Sequence, residues 1–310
     1  MAPSKKASTS LKSGRPPTSK TTPASISSKA TQKLIIAYHA LQKDLTKAKA
    51  TNDHSKATNL QSQIDALGGL EAYQRASIQG QSTSRGGDSS LVLMTWLKPY
   101  IPELKALQAP FKVLEVGALS TKNAISTPKL FHIERIDLHA QSPGILQQDF
   151  MQRPLPTHEA EKFDMISLSL VLNFVPDTKG RGEMLRRTTQ FLRRPSSPPP
   201  SSSSSTMQED LAATLFLVLP APCIENARYN TEERLTLIMA SLGYCLLQRK
   251  QTAKLVYYLW QWRDEAVLTE QKFTKLMLRD KGGMNNFCIE LVQEQQQQHT
   301  DDKFSPLREF

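Results

Sequence analysis

Cysteine is scarce in this 310-residue chain. Its three cysteines, Cys223, Cys245 and Cys288, show no C-x-x-C spacing, and its six histidines are scattered without H-E-x-x-H. Neither a disulfide framework nor a zinc site is supported, no metal is expected, and the cysteines read as reduced, buried thiols. No run of about 18 apolar residues occurs, and the N-terminus lacks the apolar core of a secretory signal. No membrane association is therefore expected, and the chain reads as intracellular. G-x-G-x-x-G is also missing. Gly117, at the end of the first strand-like run, is followed by Ala118-Leu119-Ser120, which argues against a pyrophosphate cradle and hence against a nicotinamide-dependent dehydrogenase. Finally, residues 1–33 contain no acid but seven Lys or Arg.

That last imbalance accounts for most of the formal charge of +10, because the rest of the chain holds 32 basic against 29 acidic residues. A Ser/Thr/Pro-rich arm over 1–30, with Lys5, Lys6, Lys12, Arg15, Lys20 and Lys29, buries too little apolar surface to order itself. It is suited to a polyanion such as RNA, or serves as a solvated tail or nuclear-import address. From Thr31 the pattern becomes helical. Leu34, Ile35, Tyr38, Leu41 and Leu45 share a face, and Leu60, Ile64 and Leu67 repeat it before Gly68-Gly69, giving a helical hairpin over 31–72. A polar loop follows from Tyr73, in which Gly86-Gly87 frees the backbone and Arg85 offers a forked cation for a carboxylate or phosphate.

With 39% hydrophobic and 22% charged residues, the remainder supports one sizeable globular domain over 73–292. Seven strand-like runs are expected at 112–116, 132–138, 145–150, 164–172, 214–219, 245–251 and 254–260, with helices at 182–193 and 231–242. The alternation predicts an α/β fold with a mostly parallel sheet, closed by an antiparallel hairpin. The Pro/Ser stretch 195–206 reads as a disordered insertion between the fourth and fifth strands, and 293–310 as a polar, unstructured tail.

Three strand ends converge in such a sheet. Gly117 ends the first, Asp137 the second and Asp149-Phe150 the third, the edge where doubly wound folds bind ligands. A carboxylate at Asp137 can accept both hydrogen bonds of a ribose diol, Asp149 can accept from an adenine amino group, and Phe150 can lie on the purine face. Singly, each is equally a turn glycine, a surface acid or a core ring; together they fit an adenosine-bearing methyl donor. The fourth strand carries Ser167 and Ser169 on one face, which either line that pocket or satisfy themselves on backbone. It runs into Asn173-Phe174-Val175-Pro176, where the acceptor should sit. There Asn173 either reads a base edge or caps the next helix, and Phe174 either stacks on a flipped base or fills the core. Lys179, Arg181, Arg186, Arg187, Arg193 and Arg194 follow, as an RNA-facing surface or a solvated one.

The chain resembles a known family, the fungal 25S ribosomal RNA adenine-N1 methyltransferases, whose animal relatives include an S-adenosylmethionine sensor. The carriers are TQKLIIAYHALQKDL, GGLEAYQRASIQGQSTSRGGDSSLVLMTWL, LEVGALSTKNAIS, IERIDLHAQ, QQDFMQRPLP, FDMISLSLVLNFVPDTKGRGEML and NNFCIELV, together spanning roughly Thr31 to Val292. The resemblance implies a class I, Rossmann-like methyltransferase fold with S-adenosylmethionine held at Gly117 and Asp137 and the pocket completed by Arg85, Asp149, Phe150 and Ser167. It further implies methylation of an adenine N1 in ribosomal RNA or a pre-60S particle, with Asn173 and Phe174 at the acceptor, in the nucleus and nucleolus. A non-catalytic donor sensor acting on a protein partner is the alternative.

Overall fold

The computed structural model describes residues 27–80, 88–126, 129–140, 142–194, 211–263 and 272–292. Most of the basic arm, Arg85 with its glycine pair, the Pro/Ser insertion and the polar tail lie outside the described residues. The chain opens with α1 (Ser28–Ala50), whose first turn is capped by the Ser27 hydroxyl accepting from the Ala30 N–H at 3.2 Å. It continues into α2 (His54–Ala66), capped by Asp53, and α3 (Gly69–Gly80). Three helices thus stand where a hairpin was expected. Gly68 and Gly69, at φ +89° and +62°, reverse the chain. The residues that follow, read above as a loop from Tyr73, contain no breaker before Gly80 and stay helical. Tyr38, Leu45, Ala48, Leu60 and Ile64 give this unit a small core of its own, separate from the two clusters that flank the sheet.

Those clusters sandwich seven strands: β1 (Phe111–Val116), β2 (Phe131–Asp137), β3 (Leu146–Gln147), β4 (Met165–Ser169), β5 (Thr214–Pro220), β6 (Tyr244–Gln251) and β7 (Leu255–Trp262). Their order is β3-β2-β1-β4-β5-β7-β6. The first five pair in parallel and β7 runs antiparallel to both its neighbours. This is the class I methyltransferase sheet. One face packs on α6 (Thr178–Phe191) and on α8 (Glu232–Ser241), which follows the short α7 (Pro222–Glu225); the other packs on α4 (Ser90–Leu97) and α5 (Ile101–Ala106). Alternation of side chains assigns Leu114, Ile166 and Leu217 to the first face and Val113, Met165 and Phe216 to the second.

Two strands are shorter than the hydrophobic runs imply. β3 keeps two residues because Asp149 uses its own Oδ1 to accept the Met151 N–H at 2.8 Å, turning the chain instead of extending it. β4 stops at Ser169 because Leu170 takes φ +58°, a left-handed conformation that costs a non-glycine residue about 1–2 kcal/mol.

The last described segment, 272–292, has no helix, yet it is tightly held. Phe273 and Leu291 bridge antiparallel, and the Arg279 guanidinium donates to the Ile224, Glu225, Ala227 and Asn230 carbonyls. The segment then crosses α6 at Gly182.

Candidate active site

The strand tips form a continuous ledge. Gly117 and Ala118 both donate to the Ile136 carbonyl, at 2.8 and 3.1 Å, and Gln148 donates to the Asp137 carbonyl at 2.9 Å, so the ends of β1, β2 and β3 are tied side by side. Gly117 has φ +74°, and a Cβ there would stand 2.6 Å from Val171 Cγ2. Only glycine fits this position. Asp137 is the last residue of β2; its Oδ1 accepts the His139 N–H at 2.8 Å. Burial raises its carboxyl above the ordinary range, opposed by that bond and by the nearby His139. Asp149 lies just beyond, held by its own turn.

The structure corrects two expectations here. Phe150 is only 2% exposed, its ring packed against Phe191 at 5.3 Å and beneath the Arg187 guanidinium; it fills the core, so the ring offers no shelf to a purine. Ser167 is buried in the middle of β4 between Glu115 and Phe216, two residues below the tip. At the tip stands Ser169, whose hydroxyl meets that of Ser89 at 2.7 Å. Arg85 is outside the described residues.

Behind the ledge lies a polar lattice that the sequence reading missed. Asp88 Oδ1 accepts from the Ser90 N–H and hydroxyl at 2.9 and 2.6 Å, and its Oδ2 accepts from the Ala124 N–H. Asn123 donates to Glu115 Oε1 at 2.6 Å, while Arg135 Nε faces Glu115 Oε2 at 3.3 Å as an ion pair without hydrogen-bond alignment. Burial raises the Glu115 carboxyl, with Asn123 and Arg135 opposing and Asp88 reinforcing the shift. The lattice anchors the start of α4 to the sheet. Its sequence signal was the acid in Leu114-Glu115-Val116-Gly117, which reads as an ordinary strand residue.

The acceptor turn follows from the Leu170 twist. It brings Val171 onto Gly117 and closes with the Phe174 N–H donating to the Val171 carbonyl at 2.9 Å. Asn173 Oδ1 is buried without a hydrogen-bond partner, an acceptor with an unmet demand. Phe174 stays 38% exposed, and one face of its ring stacks on His39 of α1, with centroids 4.0 Å apart and planes at 19°. Tyr73 of α3 meets both rings edge-on. The helical unit is therefore fastened to the acceptor turn.

Burial pushes His39 down to about 4, from an ordinary 6.5, so its imidazole is neutral at physiological pH. Because the folded value lies below the unfolded one, its contribution to stability is complete above about pH 6.5 and is lost as the pH falls through 4. Thermal unfolding recorded from pH 7.5 to 4 is expected to show an acid decline that His39→Phe, which keeps the stack, lacks. Equal declines in both proteins would remove His39 as its cause.

Of the six cations expected to form one solvated or RNA-facing surface, Lys179 and Arg194 are exposed, while the other four turn inward. Arg181 is buried, donating to the Val175 carbonyl at 2.9 Å and the Cys288 carbonyl at 2.7 Å. Arg186 binds Glu183 and the Val292 carbonyl, Arg187 the Phe150 and Arg153 carbonyls, and Arg193 pairs with Asp164 at 2.6 Å. Arg181 and Arg186 thereby hold the acceptor turn and the last segment in place, and Arg187 and Arg193 the chain between β3 and β4. Among the described residues no group of His, Cys, Asp and Glu is placed to hold a metal, and no helix is long and apolar enough to cross a membrane.

Residues 58–289 match the family described as 25S rRNA (adenine(2142)-N(1))-methyltransferase, Bmt2. The chain belongs to that family. It is 36% identical over 262 residues to the Saccharomyces cerevisiae 25S rRNA (adenine(2142)-N(1))-methyltransferase, covering 83% of this chain and 71% of the relative. To the Schizosaccharomyces pombe 25S rRNA adenine-N(1) methyltransferase it is 38% identical over 263 residues, 84% of this chain and 91% of the relative. Solved structures are looser likenesses. The 16S rRNA methylase RmtB aligns at TM-score 0.38 and 11% identity, over 75% of this chain and 98% of its own. The N-methyltransferase NodS of Bradyrhizobium japonicum, solved with S-adenosyl-l-homocysteine, aligns at 0.31 and 15%, over 53% and 85%. The family match includes Gly117, Asp137, Asp149 and the acceptor turn, whereas the whole of α1 precedes it.

Proposed function

We propose that this protein methylates N1 of an adenine in 25S ribosomal RNA, using S-adenosylmethionine as donor. The reading is carried by the side-by-side placement of Gly117 and Asp137 at adjoining strand tips, within a chain of this family. The donor fits that ledge: where a side chain would collide with Val171 the backbone of Gly117 leaves room, and the Asp137 carboxylate, oriented by the His139 N–H, would accept from a ribose diol. Asp149 would accept from the adenine amino group, and Phe150 would contribute only its backbone. When bound, the donor supplies an electrophilic methyl group on a sulfonium.

The chain's own work is placement. Neutral adenine carries a lone pair and no proton at N1, so the reaction needs no general base and depends on orientation and exclusion of water. Asn173 Oδ1 would accept from the amino group adjacent to N1, meeting its demand and discriminating against guanine, which has a carbonyl there. Phe174 would offer its ring to the extruded base, and His39 behind it extends that platform. The substrate is ribosomal RNA, free or within a pre-60S particle, and the basic arm and this substrate together point to the nucleus and nucleolus.

The test is incubation of the protein with labelled donor and unmodified 25S RNA or pre-ribosomes, with N1-methyladenine located by mass spectrometry. Asn173→Ala is expected to keep donor affinity and lose about 10- to 100-fold in kcat/KM, the cost of one buried hydrogen bond. Tight donor binding with no product on either substrate would replace this reading with that of a donor sensor.

A further inference from the structure

The helical unit carries a surface that neither the donor site nor the acceptor turn uses. On α1, Tyr38, Leu45 and Ala48 are buried in the unit's small core, and His39, one residue round the helix, reaches Phe174. Farther round, Lys33, Ile36, Ala40, Lys43 and Lys47 follow one another at intervals of three and four and share a stripe. All five are exposed. None of the three lysines is ion-paired among the described residues, and Asp44 is the helix's only acid. At 1.5 Å per residue, Lys33 and Lys47 stand about 21 Å apart along the axis.

The position of this stripe matters because the arginines around the acceptor turn are consumed internally, which leaves the exposed Lys179 at the start of α6 and the stripe on α1, the helix that touches Phe174 through His39, as open positive charge beside the turn. A stripe of unpaired lysines that extends along α1 to both sides of His39, and so past the place where a base would enter, is suited to a phosphate backbone. The basic arm, continuous with the start of α1, adds charge of the same sign. We propose that α1 is an RNA-docking surface, with Lys33, Lys43 and Lys47 holding phosphates beside the target adenine. This rests on the methyl-transfer reading above and assigns the helical unit a role in holding substrate in addition to packing.

The experiment uses the full chain with K33E/K43E/K47E, its neutral counterpart K33Q/K43Q/K47Q, and a control reversal, K98E/K105E. Of the control residues, Lys98 lies in the turn just before α5 and Lys105 within α5, which leads into the start of β1 and so sits at the opposite end of the sheet from the strand tips. Binding of a 25S RNA fragment is measured against salt, donor binding by calorimetry, and methylation at saturating donor. The reversal is expected to weaken RNA binding at least tenfold, with the glutamine variant between it and wild type. Loss of three phosphate contacts should make the slope of log K against log salt shallower by about 2. KM for RNA should rise, while kcat and donor affinity are kept. Unchanged RNA affinity and salt slope in both triple variants, or an equal effect from the control, would overturn the proposal. A wild-type protein that never methylates RNA defeats the earlier reading instead, and the binding arm still decides this one.

Discussion

Gly117→Arg is expected to abolish S-adenosylmethionine binding and methylation together, and Gly117→Ala to weaken donor binding at least tenfold, while both proteins remain folded. The physical basis has two parts. At φ +74° any side chain is strained, by about 1–2 kcal/mol. Its Cβ would also stand 2.6 Å from Val171 Cγ2, inside the contact distance of two carbons. Val171 cannot retreat freely, because it follows the twisted Leu170 and its carbonyl closes the acceptor turn on the Phe174 N–H. The alanine variant must therefore displace the β1 tip, the acceptor turn or both, and an arginine adds bulk in the space assigned to the donor. Calorimetric titration with S-adenosylmethionine, alongside a melting curve, reads the effect. Gly117→Ala/Val171→Ala relieves the collision but not the strain, so it should recover part of the lost affinity. Donor binding by Gly117→Arg at the wild-type level would remove the strand-tip ledge as the donor site.

The same two residues illustrate what the sequence makes legible. Strand-length runs found all seven strands, because burial on a sheet covered on both faces is a local demand on consecutive residues, and they placed Gly117 and Asp137 at the tips. Periodicity failed where a side chain competes with the backbone or the chain enters a strained region. Asp149 shortens β3 by hydrogen-bonding its own turn, and Leu170 ends β4 although its hydrophobicity suits a longer strand. Phe150 was misread because an aromatic residue after a strand-end acid reads alike whether its ring points to ligand or to core; only the placement of Phe191 and Arg187 decides it. His39 was invisible for another reason. Its partner Phe174 lies 135 residues away, and no local pattern reports a stack between a helix and a turn so distant in sequence. The arginines of α6 posed the same problem: their acceptors are carbonyls of remote segments, which a charge count does not register.

Gly182→Ala is expected to be strongly destabilising, although alanine is the better helix former by about 1 kcal/mol. Gly182 is buried inside α6, where a Cβ would collide with the Glu290 carbonyl oxygen and stand 2.8 Å from its carbon and 3.3 Å from Leu291 Cα. All three are backbone atoms, so no rotamer change makes room; the last segment must lift off the helix. Lifting it breaks the bond from the Glu290 N–H to the Thr178 carbonyl at 3.0 Å and the bond from Arg181 to the Cys288 carbonyl at 2.7 Å, and exposes the buried Ile289. A net loss of about 3 kcal/mol would lower Tm by about 6–12 °C for a domain of this size. Limited proteolysis should then cut faster at Arg279, whose guanidinium is tied to four carbonyls in the wild type. Activity should fall as well, because the guanidinium that loses Cys288 is the one holding the Val175 carbonyl at the acceptor turn. A Tm raised by the added helix propensity, with the segment still protected, would show that Gly182 and Glu290 are not in this contact.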